Sequence, residues 1–191
     1  MHKLLRLLVL TLAIIGFTLP AFGTAEAARI AVLPIVTNEN EENNAVSRRV
    51  WNEVCMSQFK FPEFDMVDDT DLTLVLDEVN YNAVAKDGVN EALMRQIMAK
   101  TNADMAVMMV MDELILEPVQ AISMDDVYRF HQKGHIMLIN NITKQVRTDR
   151  INETDEMNYA VTVRGDFIHD QLRNTMIREL KIVKKIKKTN K

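Results

Sequence analysis

Glycine, serine and cysteine are all scarce in this 191-residue chain, which has five Gly, one Cys and three Ser (Ser47, Ser57, Ser123). A lone cysteine excludes an internal disulfide framework. Few glycines leave little room for the loops that approach a phosphate closely or turn with positive φ. Gly16 and Gly23 fall near the amino terminus, so Gly88, Gly134 and Gly165 are isolated turn candidates. The sequence contains no G-x-S-x-G, no H-E-x-x-H, no phosphate loop and no C-x-x-C. No serine has a histidine close by in sequence, although a triad assembled from distant residues stays open. The composition therefore points away from an enzyme, and it implies no cofactor.

What is present begins with an export signal. Lys3 and Arg6 precede an apolar run of 11 residues at 7–17, too short to span a bilayer comfortably. Pro20 breaks it, and Ala25-Glu26-Ala27 is a small-x-small cleavage site. Residues 1–27 are thus expected to be a signal peptide and residues 28–191 a single domain. Cleavage near Ala27 would leave a periplasmic or extracellular protein of 164 residues, long enough to bury roughly 70% of its unfolded surface.

Charge is unevenly spread. The whole chain carries −4, yet residues 178–191 carry +6 and residues 28–177 carry −11. An acidic body excludes the basic face that nucleic acid requires. The terminal Lys181, Lys184, Lys185, Lys187 and Lys188 form a cluster with two readings. They are a solvated helix end, or, with Ile182 and Ile186 beside them, a contact for an anionic membrane or acidic envelope polymer.

Periodicity predicts the order β-α-β-α-α-β-β-β-α. Residues 28–36 (ARIAVLPIV) read as a buried strand. Val46, Val50 and Val54, with Trp51 and Cys55, mark a helix over 45–59 that Asn43 or Asn44 can cap. Residues 61–68 read as a second strand. Asp69 or Thr70 then caps a helix carrying Leu72, Val75, Leu76 and Val79. Lys86, Asp87 and Gly88 form a turn. Asn90 caps a third helix with Leu93, Ile97 and Met98 inward, closed at Asn102 in the left-handed position. Residues 103–116 are apolar nearly throughout up to Met111, as in a strand buried on both faces or a buried helix, since Met and Ala favour helix; a place directly after a helix stop favours the strand, and Pro118 ends or bends it. Residues 127–140 and 144–157 form a hairpin turned at Asn140–Asn141 and Thr143–Lys144. Gly165-Asp166 starts a last helix with Ile168, Leu172, Met176, Leu180 and Val183 as its stripe. The class is α/β (α+β): a mixed sheet of about five to six strands with helices packed on it.

Candidate site residues are few. His131 and His135 share a strand face but lie about 13 Å apart at ~3.3 Å per residue. Asp65, Asp68, Asp69 and Asp71 gather at a strand end and helix start, where they hold a divalent cation or simply favour a helix amino terminus. His169, beside Asp170, reads as a surface group. Cys55 is a buried inert thiol, an intermolecular bridge or a nucleophile. Met105, Met108, Met109 and Met111 fill a core or form an adaptable partner surface. Strand alternation would split their thioethers between two faces and disfavour a copper site.

Four segments carry a resemblance: ARIAVLPIV directly after a signal, FDMVD before a helix, TNADMAVMMVMDEL, and IMLINNITKQVRTD before a long helix. Together they resemble the amino-terminal domain of the periplasmic protein TolB and the related fold of the curli secretion lipoprotein CsgG. The TolB propeller and the CsgG lipidated cysteine and pore insertions have no counterpart in these residues. The resemblance implies a fold and a non-enzymatic envelope role through protein partners or assembly, with no site residues and no stated oligomeric state. The alternative is a small-ligand or metal-binding periplasmic protein.

Overall fold

In a computed structural model, residues 27–37, 41–81, 90–119, 127–158 and 164–184 are described. The expected signal up to residue 26, the turn at 86–88, Ser123 and the tail beyond 184 lie outside the described residues. So do the side chains of 41–43, 157–158, 164–167 and 182–184, Val183 included.

The apolar run after Ala27 makes β1 (Ala28–Val32), and a short second segment, β2 (Val36–Thr37), continues the same path beyond Pro34. Next come α1 (Glu41–Gln58), β3 (Phe64–Met66), α2 (Asp69–Glu78) and α3 (Glu91–Thr101). A long meander follows, β4 (Met105–Val119), β5 (Val127–Asn140) and β6 (Gln145–Asn158), and then α4 (Arg164–Lys184). The mixed sheet has six strands in the order β3-β1-β4-β5-β6, with β2 also on β4. β1 is parallel to β3 and β4, whereas β4, β5 and β6 pair antiparallel. The expected α+β class and helix-strand alternation hold, with β2 as the added strand.

β4 sits in the middle because its first seven residues offer nothing polar to expose. All seven residues from Met105 to Met111 are buried. Met105, Val107, Met109 and Met111 face the core that includes Trp51, Ile136, Leu172 and Leu180. Ala106, Met108 and Val110 face the opposite core, with Leu93, Met94, Ile97 and Met98. The methionines fill cores on both faces of the sheet, and the period of two decides which goes where. The α4 stripe falls as its spacing predicts: Ile168, Leu172, Met176 and Leu180 are all buried.

Several boundaries differ from the sequence reading. α1 begins at Glu41, so Asn43 and Asn44 lie inside it rather than capping it. α4 begins at Arg164, so Gly165 and Asp166 are within its first turn. The second strand is only Phe64–Met66; Pro62 has no N–H for a ladder, and residues 61–63 turn instead. The cap of α2 is Asp68, one residue before the expected Asp69 or Thr70. Pro118 does not end β4, which continues to Val119. Beyond Met111 only β5 pairs with β4 among the described strands, and such an edge tolerates proline.

Three local devices fix the arms of the fold. Asn90 caps α3 by accepting from the Leu93 N–H at 3.0 Å, and Asn102 closes it in the left-handed region at φ 52°. Asp104 then ties β4 to β1: its carboxylate accepts from the Arg29 N–H at 3.0 Å, and its own N–H donates to the Arg29 carbonyl at 2.8 Å. At the hairpin tip the Asn140 side chain accepts from the N–H groups of Ile142 and Thr143 at 2.9 and 3.1 Å, and Lys144 takes φ 57°.

Candidate functional site

In an open sheet with parallel strands, ligands sit where the strand order reverses, at the carboxyl ends of the strands. Here that place lies beyond β1, between β3 and β4, and backbone fills its β4 side. β1 runs on through Leu33, whose N–H donates to the Val107 carbonyl at 2.9 Å, and into β2, which pairs with Val110 and Met111. The fully buried Trp51 donates its indole Nε1–H to the Leu33 carbonyl at 2.9 Å. Tyr81 donates its hydroxyl to the Pro34 carbonyl at 2.9 Å, and burial pushes that hydroxyl's pKa up. These bonds satisfy the Leu33 and Pro34 carbonyls from opposite faces of the sheet.

At the carboxyl ends of β1 and β3 a cleft of about 350 Å³ stays open between α1 and α2, lined by Val32, Cys55, Met56, Met66, Asp68 and Leu72. Burial pushes the Cys55 thiol up, the opposite of what a nucleophile needs. Asp68 accepts from the Thr70 N–H at 2.8 Å, and that bond holds its carboxyl below the usual range. Asp69 lines the same cleft. Asp71 is exposed, 3.9 Å from Arg29. The acidic cluster thus acts as the start of α2, with Asp68 as the cap and Asp69 and Asp71 in the first turn.

The histidines are kept apart. His131 Nδ1 lies 2.7 Å from the Thr154 hydroxyl, and its Nε2 is 3.9 Å from Glu113, which Lys133 holds at 2.7 Å. His135 pairs in register with Val110 and Arg150, further along the strand. His169 Nε2 lies 3.2 Å from Glu53, joining α4 to α1. Among the described residues no group of three His, Cys, Asp or Glu is placed to hold a metal. Lys181 is exposed on α4 and Lys184 is its last residue. Lys185, Lys187 and Lys188 lie outside the described residues.

Sequence reasoning missed a polar cluster where β5 and β6 meet α4. Gln132 is 2% exposed and sits in register with Glu153. Its Nε2 donates to Glu153 at 3.3 Å and to the Thr175 hydroxyl, which itself donates to Glu153 at 3.1 Å. Arg178 pairs with the other Glu153 oxygen and donates to the buried Glu179 at 3.0 Å. Those carboxylates push the Arg178 pKa up, Glu153 most of all. A cleft of about 410 Å³ lies against this cluster. The signal was available in the pattern, because Gln132 holds the inward parity of Phe130, Ile136 and Leu138.

No protein-family model matches the chain, and no curated protein does either. Solved structures do match. The hypothetical protein CT253 from Chlamydia trachomatis is 8% identical over 81% of this chain and 95% of that one, with a TM-score of 0.50. Lipoprotein GNA1162 from Neisseria meningitidis is 9% identical over 80% and 97%, at 0.45. The LpoB C-terminal domain from Salmonella enterica is 12% identical over 72% and 90%, at 0.36. At such identities it is the CT253 similarity that bears on this chain, and it establishes a shared fold.

Proposed function

We propose that this chain is an exported, non-catalytic module of the cell envelope that acts through contacts with protein partners. One observation carries the reading: toward β4 the crevice that serves as a ligand site in parallel sheets is occupied by the β1–β2 path, held by Trp51 and Tyr81, and toward β3 the acids that line the remaining cleft, Asp68 and Asp69, form the start of α2. The surface at the other end of the parallel strands is open. A cleft of about 720 Å³ is lined there by Arg29, Asp65, Asp104, Phe61 and Ile142, and Phe61 and Ile142 are 82% and 60% exposed. Two large apolar side chains around a polar cleft suit a partner surface.

The apolar run at 7–17 and the Ala25-Glu26-Ala27 site support export. The four segments quoted above support kinship with the TolB amino-terminal and CsgG group. In this reading the Lys181–Lys188 cluster meets an anionic surface. No helix among the described residues is long and apolar enough to cross a membrane.

Two experiments test the proposal. Residues 1–27 fused to a reporter that is active only after export should give activity, and a silent fusion removes the export half. A photo-crosslinking amino acid at Ile142 of the exported protein should give a discrete adduct with an envelope protein, absent when the crosslinker replaces Asp77. No discrete adduct at Ile142 or Phe61 counts against a partner on this surface.

A further inference from the structure

We propose that the cleft at the amino ends of the parallel strands seats the chain's own cleaved terminus, the α-ammonium of Ala28, an inference that rests on the export reading above. Ala27 and Ala28 both line this cleft. Ala28 is nonetheless a sheet residue: it is 5% exposed, pairs in register with Phe64, and its N–H donates to the Glu63 carbonyl at 3.2 Å. The expected scissile bond, Ala27–Ala28, therefore ends on a nitrogen that the fold already holds. Hydrolysis there by a signal peptidase consumes one water. Ala27 leaves with the hydroxyl as a carboxylic acid, Ala28 keeps the nitrogen with an added hydrogen, and the acid's proton passes to the amine. An α-amine with a pKa of about 8 is mostly charged at neutral pH.

The cleft suits that charge. Its charged lining is Arg29 against Asp65 and Asp104, one positive and two negative groups, a net −1. Arg29 pairs with Asp71 at 3.9 Å rather than with either. Asp104 Oδ2 lies 3.0 Å from the Arg29 backbone nitrogen. Adjacent backbone nitrogens are less than ~4 Å apart, so the Ala28 nitrogen is within about 7 Å of that carboxylate. Asp65 is in register with Arg29 on the neighbouring strand. One ammonium brings the lining to neutrality, at a separation where charges still attract in ordinary salt. It carries three N–H bonds where the amide has one, so the bond to Glu63 is kept and two donors are added. The cleft, about 720 Å³ in volume, leaves room for water on them, and the charge is not buried dry. The first residues of a domain are loose unless a sheet ties them down; here a charge adds to the ties on the first residue of β1. In the uncut chain the same nitrogen is a neutral amide, and the carboxylates keep their excess.

The test compares the exported protein with a variant carrying Gly-Ser inserted between Ala27 and Ala28. Cleavage after Ala27 then leaves Ala28 as an amide, still able to donate to Glu63, with the ammonium two residues further out. Terminal sequencing of the exported native protein should read Ala28 first. Its melting temperature should exceed that of the insertion variant by about 1–4 °C at low salt. The difference should shrink in about 0.5 M NaCl. It should disappear when both forms carry Asp65→Asn and Asp104→Asn, changes that keep an acceptor for the Arg29 N–H and remove the charge. Should neither form leave the cell, the export reading fails; the same two termini are then made by cutting a fusion partner from the chain at those positions, and the melting comparison decides this proposal separately. It is overturned by a mature terminus other than Ala28, by equal melting of the two forms, or by a difference that the paired Asp→Asn changes do not reduce. If those changes prevent folding, a difference that salt leaves untouched overturns it.

Discussion

Single atoms decide much of this fold. Trp51 and Tyr81 act through one N–H and one O–H, each aimed at a carbonyl of the segment linking β1 to β2. Replacing Trp51 with Phe keeps an aromatic ring in the core, though a smaller one, and leaves the Leu33 carbonyl without its donor. We expect a loss of about 1–3 kcal/mol in urea denaturation, the cost of a buried group left unpaired. Asp68 gives a pH prediction. Its folded pKa is depressed below the ordinary 3.8 by the Thr70 N–H. A depressed carboxyl contributes stability that is present above the unfolded value and lost as pH falls through the folded value. Asp68→Asn keeps a capping side chain without the titration. Its stability should therefore decline less steeply than that of the native chain as pH drops below about 4, measured by denaturant midpoints across that range. An acid limb as steep as the native one would show that Asp68 does not act through this cap.

At the scale of elements, the β4–β5 pair is the main structural arm, and its irregularity lies between Met111 and Glu113. Gly134 sits opposite Met111, and a Cβ there would run into the Val110 carbonyl oxygen. Gly134→Ala should therefore destabilise the fold by about 1–3 kcal/mol, the usual cost of overpacking, with backbone shift in the arm. Thermal melting beside an Ala substitution at exposed Lys144 checks it. A loss no larger than at Lys144 would mean that the strands relax freely at that point. Much of the element layout was legible in the sequence. The Asn90 and Asn102 caps and the Ile168–Leu180 stripe follow from short-range chemistry and 3.6-residue spacing. Helix starts were less legible: α1 and α4 begin before the Asn and Asp residues that read as caps. A cap residue is also acceptable inside a first turn, so its identity alone does not locate the boundary. The candidate site was the least legible part. Gln132, Glu153 and Thr175 are 21 and 22 residues apart along the chain, and only the β5–β6 register and the docking of α4 bring them together.

At the scale of the whole molecule, helices cover both faces of one sheet, and the two cores share β4. A strand common to both cores couples them, so residues 28–191 should unfold as one cooperative unit. Urea transitions followed by far-UV circular dichroism and by the fluorescence of the single Trp51 should coincide. Separated midpoints would mean that one core unfolds alone. By itself the sequence determined the fold class, the caps of α3 and the acidic body, and favoured a strand over a buried helix at 105–111, because apolar period, turn chemistry and charge are carried by neighbours along the chain. It also named Cys55 as an interior group, and the structure buries it. Only the tertiary structure decided that the β1–β2 path fills the β4 side of the crevice beyond β1, that His131 and His135 stay apart, and that a half-satisfied amide lies beneath α4. Those outcomes depend on strand order, register and helix docking. Each is set by contacts between residues far apart in sequence, whose partners no local pattern specifies.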